Sequence, residues 1–203
     1  MLTMTPVVAA PSHSLPFAWA KADPAHAWLA LSGASEDADI ALLVGILARG
    51  NDVPAGATLV EAIDLLGEAA PFTVDGGLII RAGDFGVEPG CCGVLSDWRG
   101  WVDLAPGAPT PWMGHDPAPW VETAPEVALI HADGGTENDR PVDGEHIRVS
   151  YAEIAEALAA AVGDLEGFQA RLEDWLARHA PQDRAFGPRF WDAFVRQPET
   201  ACA

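Results

Sequence analysis

Residues 88–122 read EPGCCGVLSDWRGWVDLAPGAPTPWMGHDPAPWVE, and the chain is organised around this stretch. It contains two adjacent cysteines, four of the eight tryptophans and a Gly-His-Asp-Pro turn. Residues 105–119 include five prolines, and proline lacks the backbone donor that helices and central strands need. We therefore predict irregular loops there, preceded by a short helix over residues 92–102 with Trp98 and Trp101 on one face.

Short β-prone runs lie on both sides of this stretch. Upstream, a hairpin turn is predicted at residues 75–77 and a second turn at residues 83–84, because both pair aspartate with glycine. Downstream, residues 127–131 (VALIH) and 146–149 (HIRV) read as two further strands. The acidic, glycine-rich connection over residues 133–145 is a wide loop or a mobile flap. Together these runs predict a small, mostly antiparallel sheet.

The N-terminal part is predicted to be an arm followed by helices. Residues 1–16 are rich in proline, serine and alanine and are expected to form a flexible arm. A helix can open at residues 23–24, where proline follows aspartate. A second helix is expected from the acidic segment after Ser35 to residues 50–51, and a third over residues 58–66.

A long helical segment follows the predicted sheet. Ser150 and Glu153 are spaced as a capping box, and apolar residues then recur at helical spacing to residue 177. Pro181 interrupts this pattern, and a last amphipathic segment comes after it. This part of the chain is predicted to be helical throughout.

The predicted fold class is therefore α+β. The small antiparallel sheet and the Trp- and Pro-rich loops occupy residues 72–149, between a helical part at residues 17–67 and C-terminal helices at residues 150–196. These three parts are predicted to form one domain over residues 17–198.

The charge restricts the possible partners. The formal net charge is -19, of which -9 lies up to Trp112 and -10 beyond it, so the charge is not confined to a tail. Such a surface repels phosphate backbones and argues against nucleic-acid binding. It favours a cationic protein partner or a small cationic ligand, although a solvated acidic surface without a specific partner is the simpler interpretation.

Cysteine use and hydropathy indicate the compartment. The three cysteines are an odd number, and adjacent cysteines rarely bond each other without strain, so a disulfide framework is not expected. The N-terminus lacks the basic and apolar regions of a signal peptide, and no window approaches the length of a membrane span. We expect a soluble protein of the reducing cytoplasm, with no membrane association.

Three residues are candidates for catalysis. Cys92 follows a tight Pro-Gly-Cys turn, and at the start of a short helix its thiol pKa would be lowered. His115 and Asp116 could then act as a base and its orienting group, as in Cys-His-Asp nucleophilic catalysis. The simpler alternative is that both central cysteines are small buried residues packed under the tryptophans.

A metal site is a weaker hypothesis. The central cysteines, His115 and Asp116 carry suitable donor atoms, and His131 and His146 could join them if the strands pass nearby. The spacing argues against it, because adjacent residues of an extended segment point to opposite sides. No metal ligand is assigned, and no cofactor is predicted.

The tryptophans are candidates for a binding site. Their apolar faces suit the walls of a pocket, where a cation would bind by cation–π attraction, or else plain core packing. The acidic candidates next to this stretch suit acid–base work or simple solvation. The predicted ligand- or partner-binding residues are Trp98, Trp101, Trp112, Trp120, Asp84 and Glu88.

The segments GCCGVLSDWRGWVDL and PWMGHDPAPWVE resemble a class of uncharacterised bacterial proteins. These share a Gly-Cys-Cys segment, a W-x-x-W pair and a GHDP-x-PW-x-E loop. The resemblance covers about residues 71–178 and leaves the N-terminal third unmatched. It implies that this region is one unit, and it implies no activity.

Three hypotheses for the function remain open. The first is an acidic interaction protein, such as an immunity-type inhibitor, that docks a cationic protein through its Trp-rich loops. The second is a small-molecule enzyme of specialised biosynthesis with a Trp-walled pocket and Cys, His and Asp as reactive groups. The third is a metal-binding protein.

Overall fold

The computed structural model of the chain describes residues 1–22, 26–69, 73–134 and 145–197. These residues form two small antiparallel sheets and a set of helices, which confirms the predicted α+β class. The strands are β1 Leu2–Ala9, β2 Trp28–Ala30, β3 Gly76–Ala82, β4 Phe85–Val87, β5 Trp120–Thr123, β6 Val127–His131 and β7 His146–Ser150. The helices are α1 Asp37–Gly50, α2 Leu59–Glu68, α3 Tyr151–His179 and α4 Phe186–Phe190, with a 3-10 helix at Leu95–Trp101 and a π-helical turn at Trp191–Val195.

The first sheet has the strand order β2-β1-β3-β4. Strands β3 and β4 form a hairpin around the turn predicted at residues 83–84, with Ile80 opposite Val87. The other predicted turn, at residues 75–77, is wrong because its two glycines belong to β3. The Gly76 amide donates to the Gly93 carbonyl oxygen at 2.9 Å, so pairing with a distant segment overrides the local turn signal.

The second sheet has the order β5-β6-β7 and is antiparallel throughout. Strand β6 has the predicted bounds, and β7 is one residue longer than predicted. Strand β5 was not predicted, since it follows directly on the Pro-rich run. Most of the connection between β6 and β7, residues 135–144, lies outside the described residues, so its predicted role as a loop or flap stays a prediction.

The N-terminal arm is a correction to the prediction. Residues 2–9 form strand β1, whose side chains Leu2, Met4, Val7 and Val8 are buried. Apolar side chains at these positions bury the strand even though it contains a proline. Strand β2 likewise replaces the end of the helix that was expected to open at residues 23–24, which themselves lie outside the described residues.

The longer helices begin where their caps predict. Thr58 at the start of α2 accepts a hydrogen bond from the Glu61 amide and donates its own amide to the Glu61 carboxylate. Ser150 and Glu153 make the same reciprocal pair before α3. These capping boxes satisfy backbone donors that a helix leaves free at its start. Helix α1 ends at Gly50, as predicted.

The chain divides into two compact units that interleave along the sequence. The first comprises Met1–Val7 and Asp75–Gly163, and the second comprises Val8–Val74 with the described residues from Asp164 onward. The breaks therefore fall elsewhere than the predicted ones at residues 16, 67–72 and 149. None of the helices in the described residues combines the length and the apolar character that crossing a membrane requires.

Candidate functional site

Two motifs that are separate in the sequence form one site in the first unit. The Gly-Cys-Cys segment and the Gly-His-Asp-Pro segment lie side by side as an antiparallel bridge. The Cys91 amide donates to the His115 carbonyl oxygen at 2.6 Å, and the His115 amide donates to the Cys91 carbonyl oxygen at 2.8 Å. The Gly90 amide donates to the Met113 carbonyl oxygen at 2.7 Å. Backbone hydrogen bonds thus fix the two segments in register.

Two glycines allow this close approach. A Cβ atom on Gly90 would lie 2.2 Å from the His115 carbonyl oxygen and 2.3 Å from that of Pro117. A Cβ atom on Gly114 would lie 2.5 Å from the Gly90 carbonyl oxygen, and Gly114 also has a φ of +90°. Only glycine fits at both positions. The sequence signal was a glycine directly before each motif, although nothing in the sequence showed that the two glycines face each other.

Cys92 brings the two thiols to the same side of the chain. Its φ is +64°, in the left-handed region that non-glycine residues rarely adopt. Its Sγ atom lies 4.0 Å from the Sγ atom of Cys91. The prediction that adjacent cysteines point apart is therefore wrong, because the segment is not extended at Cys92. Both thiols are exposed, so their packing beneath the tryptophans is also wrong.

His115 completes a cluster of three donors. Each of its partners Cys91 and Cys92 offers one sulfur atom, and with a ring nitrogen of His115 these atoms all lie within 4.8 Å of one another. We call these three residues the Cys–Cys–His cluster. Trp112 contacts the His115 ring edge-on at 4.6 Å and donates its indole Nε1–H to the Cys92 carbonyl oxygen at 3.2 Å. Trp112 therefore supports both halves of the cluster.

The surroundings of Cys91 raise the pKa of its thiol. Partial loss of hydration raises the pKa of the Cys91 thiol, and so do its hydrogen bond and charge interaction with the Cys92 sulfur and the charge of the nearby Asp116 carboxylate. The hydrogen bond with the His115 backbone opposes this rise. Cys91 is therefore a poor nucleophile near neutral pH, since the thiolate is the reactive form.

The predicted catalytic arrangement is brought together only in part. Cys92 and His115 are neighbours in the cluster. Asp116 follows directly in the chain, at a φ of +47°. Within the described residues, however, no hydrogen bond joins its carboxylate to the His115 ring. The orienting contact that a Cys-His-Asp mechanism needs is thus missing from this arrangement.

Two of the predicted pocket walls belong to the core. Trp98 and Trp101 lie in the 3-10 helix and are only 1% and 2% exposed. Together with Trp112 and Met113 they border a crevice with a cavity volume of about 10 Å³, which is room for about one water molecule. These two tryptophans are therefore core residues and do not wall a ligand pocket.

Trp120 lies apart from the cluster, although it was predicted to act with Trp112. It belongs to β5, and its ring stacks on that of His131 at 4.0 Å with an angle of 4° between the planes. The His146 ring is 5.0 Å from His131, and the Glu122 carboxylate is 3.7 Å from the Nε2 atom of His131. These residues form a second polar group on the three-stranded sheet. Neither histidine joins the Cys–Cys–His cluster.

The two acidic candidates lie on the β3–β4 hairpin. Asp84 is an exposed residue of the turn, and Glu88 follows β4. The Glu88 carboxylate makes an ion pair with Arg81 at 3.2 Å, in which both side chains are about half exposed. Both acids are therefore solvated surface groups, and the structure does not place them with the cluster.

Two polar residues outside the predicted site residues stabilise loops of the same unit. The Asp97 carboxylate accepts a hydrogen bond from the Val94 amide at 2.8 Å and thereby caps the 3-10 helix. Burial raises the pKa of this carboxyl group. The Thr110 hydroxyl accepts a hydrogen bond from the Val121 amide at 2.7 Å, which ties the Pro-rich run to β5. The contact of a capping aspartate with a residue three positions earlier can be predicted from the sequence. The Thr110 contact, which joins more distant residues, cannot.

Comparison of the chain with protein-family models, with curated proteins and with solved structures found no match. The chemistry of the site therefore follows from its own geometry.

Proposed function

We propose that this protein binds a thiophilic transition-metal ion, of the class of Zn²⁺ and Cu⁺, through Cys91, Cys92 and His115. The observation that carries the proposal is that two thiols and an imidazole nitrogen lie within 4.8 Å of one another on the surface. Thiolate and imidazole are the ligands that zinc and monovalent copper prefer in proteins.

The spacing of the sulfur atoms suits one metal ion. With metal–sulfur bonds of about 2.3 Å, sulfur atoms 4.0 Å apart subtend an angle of about 120° at the metal. This is close to trigonal and tetrahedral coordination angles, so the thiols can bind one ion with small side-chain rotations. Within the described residues the cluster supplies three donors, which leaves a fourth position for water or another ligand.

The surroundings preorganise this ligand set. The bridge between Cys91 and His115 fixes two of the three ligands through the backbone, and the Trp112 indole contacts the His115 ring and the Cys92 carbonyl oxygen. Groups that orient metal ligands in this way raise metal affinity. The Asp116 carboxylate and the net charge of -19 attract cations to the surface but do not select among them.

The test is a zinc titration of reduced protein that was purified without an affinity tag. With a chromophoric chelator as competitor, we expect one tightly bound Zn²⁺ per chain. Cys91→Ser, Cys92→Ser and His115→Ala should each weaken binding by more than about 100-fold, since even groups beyond the ligands change metal affinity by about 10–100-fold. Cys202→Ser and His146→Ala are the matched controls and should keep the wild-type affinity. Wild-type affinity in both Cys91→Ser and Cys92→Ser would overturn the proposal.

A second candidate function is docking of a cationic protein, as in an immunity-type inhibitor. The observation in its favour is that Trp112 is a large aromatic residue, 46% exposed, whose ring is held by a hydrogen bond from its indole Nε1–H to the Cys92 carbonyl oxygen. Tryptophan anchors of this kind supply much of the affinity of protein interfaces. Complementary charge would speed association, so the on-rate for a purified partner should fall steeply with salt and Trp112→Ala should speed dissociation. An on-rate that does not depend on salt would contradict this function.

The small-molecule enzyme has less support. Cys92 and His115 are close enough to act as a thiol and a base. Of the four tryptophans that were expected to wall a substrate pocket, Trp98 and Trp101 are instead buried beside a crevice the size of one water molecule. Alkylation of the metal-free protein tests the enzyme hypothesis. An enzyme with a nucleophilic cysteine needs a thiol that reacts rapidly near neutral pH, whereas the proposed metal site does not.

A further inference from the structure

We infer that Cys91 and Cys92 form a reversible disulfide with each other, and that this oxidation and metal binding exclude one another. The second half of the inference rests on the proposed function. Disulfide formation itself requires no metal, so the two can be tested separately.

The geometry brings the two sulfur atoms within reach of each other. They lie 4.0 Å apart on the same side of the turn, and a disulfide bond is about 2.05 Å long. The left-handed φ of Cys92 turns the chain there. In an extended chain, by contrast, adjacent side chains point to opposite sides. Both thiols are exposed, so a small oxidant can reach them. Closing the remaining gap of about 2 Å requires side-chain and local backbone adjustment, not a change of fold.

Such a bond is reversible because adjacent residues are a strained pair for a disulfide. The Cα atoms of neighbouring residues lie about 3.8 Å apart, below the usual range of about 4.4–6.8 Å for bridged cysteines. Strained and exposed disulfides have higher reduction potentials than structural ones and are readily reduced by thiols. The pair is therefore suited to a switch and unsuited to holding a fold together.

The chemistry balances with a peroxide as the oxidant. The two thiols lose two protons and two electrons as the sulfur–sulfur bond forms, and hydrogen peroxide is reduced to two molecules of water. When a metal ion is bound, the same two electrons come from its two thiolates, and the two protons that the peroxide takes up come from the solvent. The ion then loses two of its three protein ligands and is released, because a disulfide sulfur no longer carries thiolate charge. A dithiol reductant restores both thiols and the site.

The first experiment uses metal-free, reduced protein carrying Cys202→Ser, so that only the central pair can react. One equivalent of hydrogen peroxide should lower the intact mass by about 2 Da and remove both titratable thiols. Dithiothreitol should restore both. Cys91→Ser and Cys92→Ser in the same background should show an added oxygen in place of the 2 Da loss. A central pair that gives only oxygen adducts or covalent dimers would overturn the inference.

The second experiment uses the same Cys202→Ser protein loaded with zinc and a chelating dye that reports free Zn²⁺. Peroxide should release zinc at the rate at which the disulfide forms. His115→Ala should still form the disulfide while binding zinc weakly. A disulfide that forms while zinc stays bound would overturn the exclusion. Reduced protein that binds no zinc but forms the disulfide would overturn the proposed function and, with it, the exclusion.

Discussion

Gly114 and Gly107 have similar left-handed backbones but different surroundings. Their φ values are +90° and +81°, and a Cβ atom would collide with the Gly90 backbone at Gly114 but would meet open space at Gly107. We expect Gly107→Ala to lower the free energy of unfolding by about 1 kcal/mol, through its φ alone. Gly114→Ala should lower it by about 2–4 kcal/mol, because the collision adds to the same backbone cost. Urea denaturation of both variants measures the difference.

The same pair of variants tests whether metal affinity depends on the backbone bridge between Cys91 and His115. Gly114→Ala should also weaken zinc binding, since the bridge that aligns Cys91 with His115 cannot keep its spacing. Gly107→Ala should leave zinc binding unchanged. If the two variants were equally stable and bound zinc equally well, the two segments would not be held as described.

The residues of the site could be found from the sequence, but their arrangement could not. Cys92, His115 and Trp112 stand out by type and by their glycine and proline neighbours. Cys92 adopts a left-handed backbone directly after the bridge between Cys91 and His115, and no pattern in the neighbouring residues predicts this conformation. The direction of the thiols, on which the proposed metal site depends, therefore had to come from the structure.

Helix α1 carries a carboxylate whose ionisation contributes to stability. The Asp37 carboxylate at its first turn accepts two hydrogen bonds from Arg178 near the end of α3, at 2.6 and 2.8 Å, and Arg171 lies at 3.3 Å. The hydrogen bonds from Arg178 chiefly lower the pKa of Asp37 from 3.8 to about 2. Because the folded pKa is the lower one, the contribution is fully present above pH 3.8 and is lost as the pH falls through about 2.

We therefore expect Asp37→Asn to remove a pH-dependent part of the stability. The free energy of unfolding of the wild-type protein should fall more steeply between about pH 4 and pH 2 than that of the variant, and the two curves should converge at the acid end. Denaturant unfolding over this pH range gives both curves. Asp84→Asn, which removes a carboxylate of the β3–β4 turn, is the control and should follow the wild type. Parallel wild-type and Asp37→Asn curves would show that Asp37 is not stabilised by its arginines.

Elements with strong local signals were predictable, and elements that depend on distant pairing were not. Helix α3 was readable from its capping box and its apolar period, and β6 from its apolar run. Strand β1 follows no turn signal and looked like an arm, since its partner β3 lies more than sixty residues away. The glycines at the start of β3 were wrongly predicted as a hairpin turn for the same reason. The partner of Gly76 is Gly93, which lies far along the sequence.

The whole molecule carries a net charge of -19, which attracts cations without selecting among them. Weakly held ions on surface carboxylates are screened by salt, whereas coordination by thiolates and imidazole is not. After dialysis against zinc at low salt we expect more than one Zn²⁺ per chain. At about 0.5 M sodium chloride, where the screening length is only a few ångströms, we expect about one. Elemental analysis measures the ratio, and loss of all bound zinc at high salt would show that only the acidic surface had bound it.

The fold class could be predicted at this scale, and the division of the chain could not. Helical patterns, then a run of short strand patterns, then helical patterns again were enough to predict α+β. The chain passes from one unit to the other at residues 7–8, 74–75 and 163–164. The first of these boundaries lies inside β1 and the last lies inside α3. Because β1 and α3 are continuous across these boundaries, no linker-like change in composition marks the boundaries in the sequence.

X-ray absorption at the zinc edge tests the metal site most directly, because it reports the atoms bound to the ion. For zinc-loaded, reduced protein at high salt, the proposed site predicts two sulfur scatterers at about 2.3 Å and an imidazole nitrogen at about 2.0–2.1 Å. Cys92→Ser should remove one of the sulfur scatterers. A first shell made only of oxygen and nitrogen atoms would contradict the assignment of Cys91, Cys92 and His115 as the metal ligands.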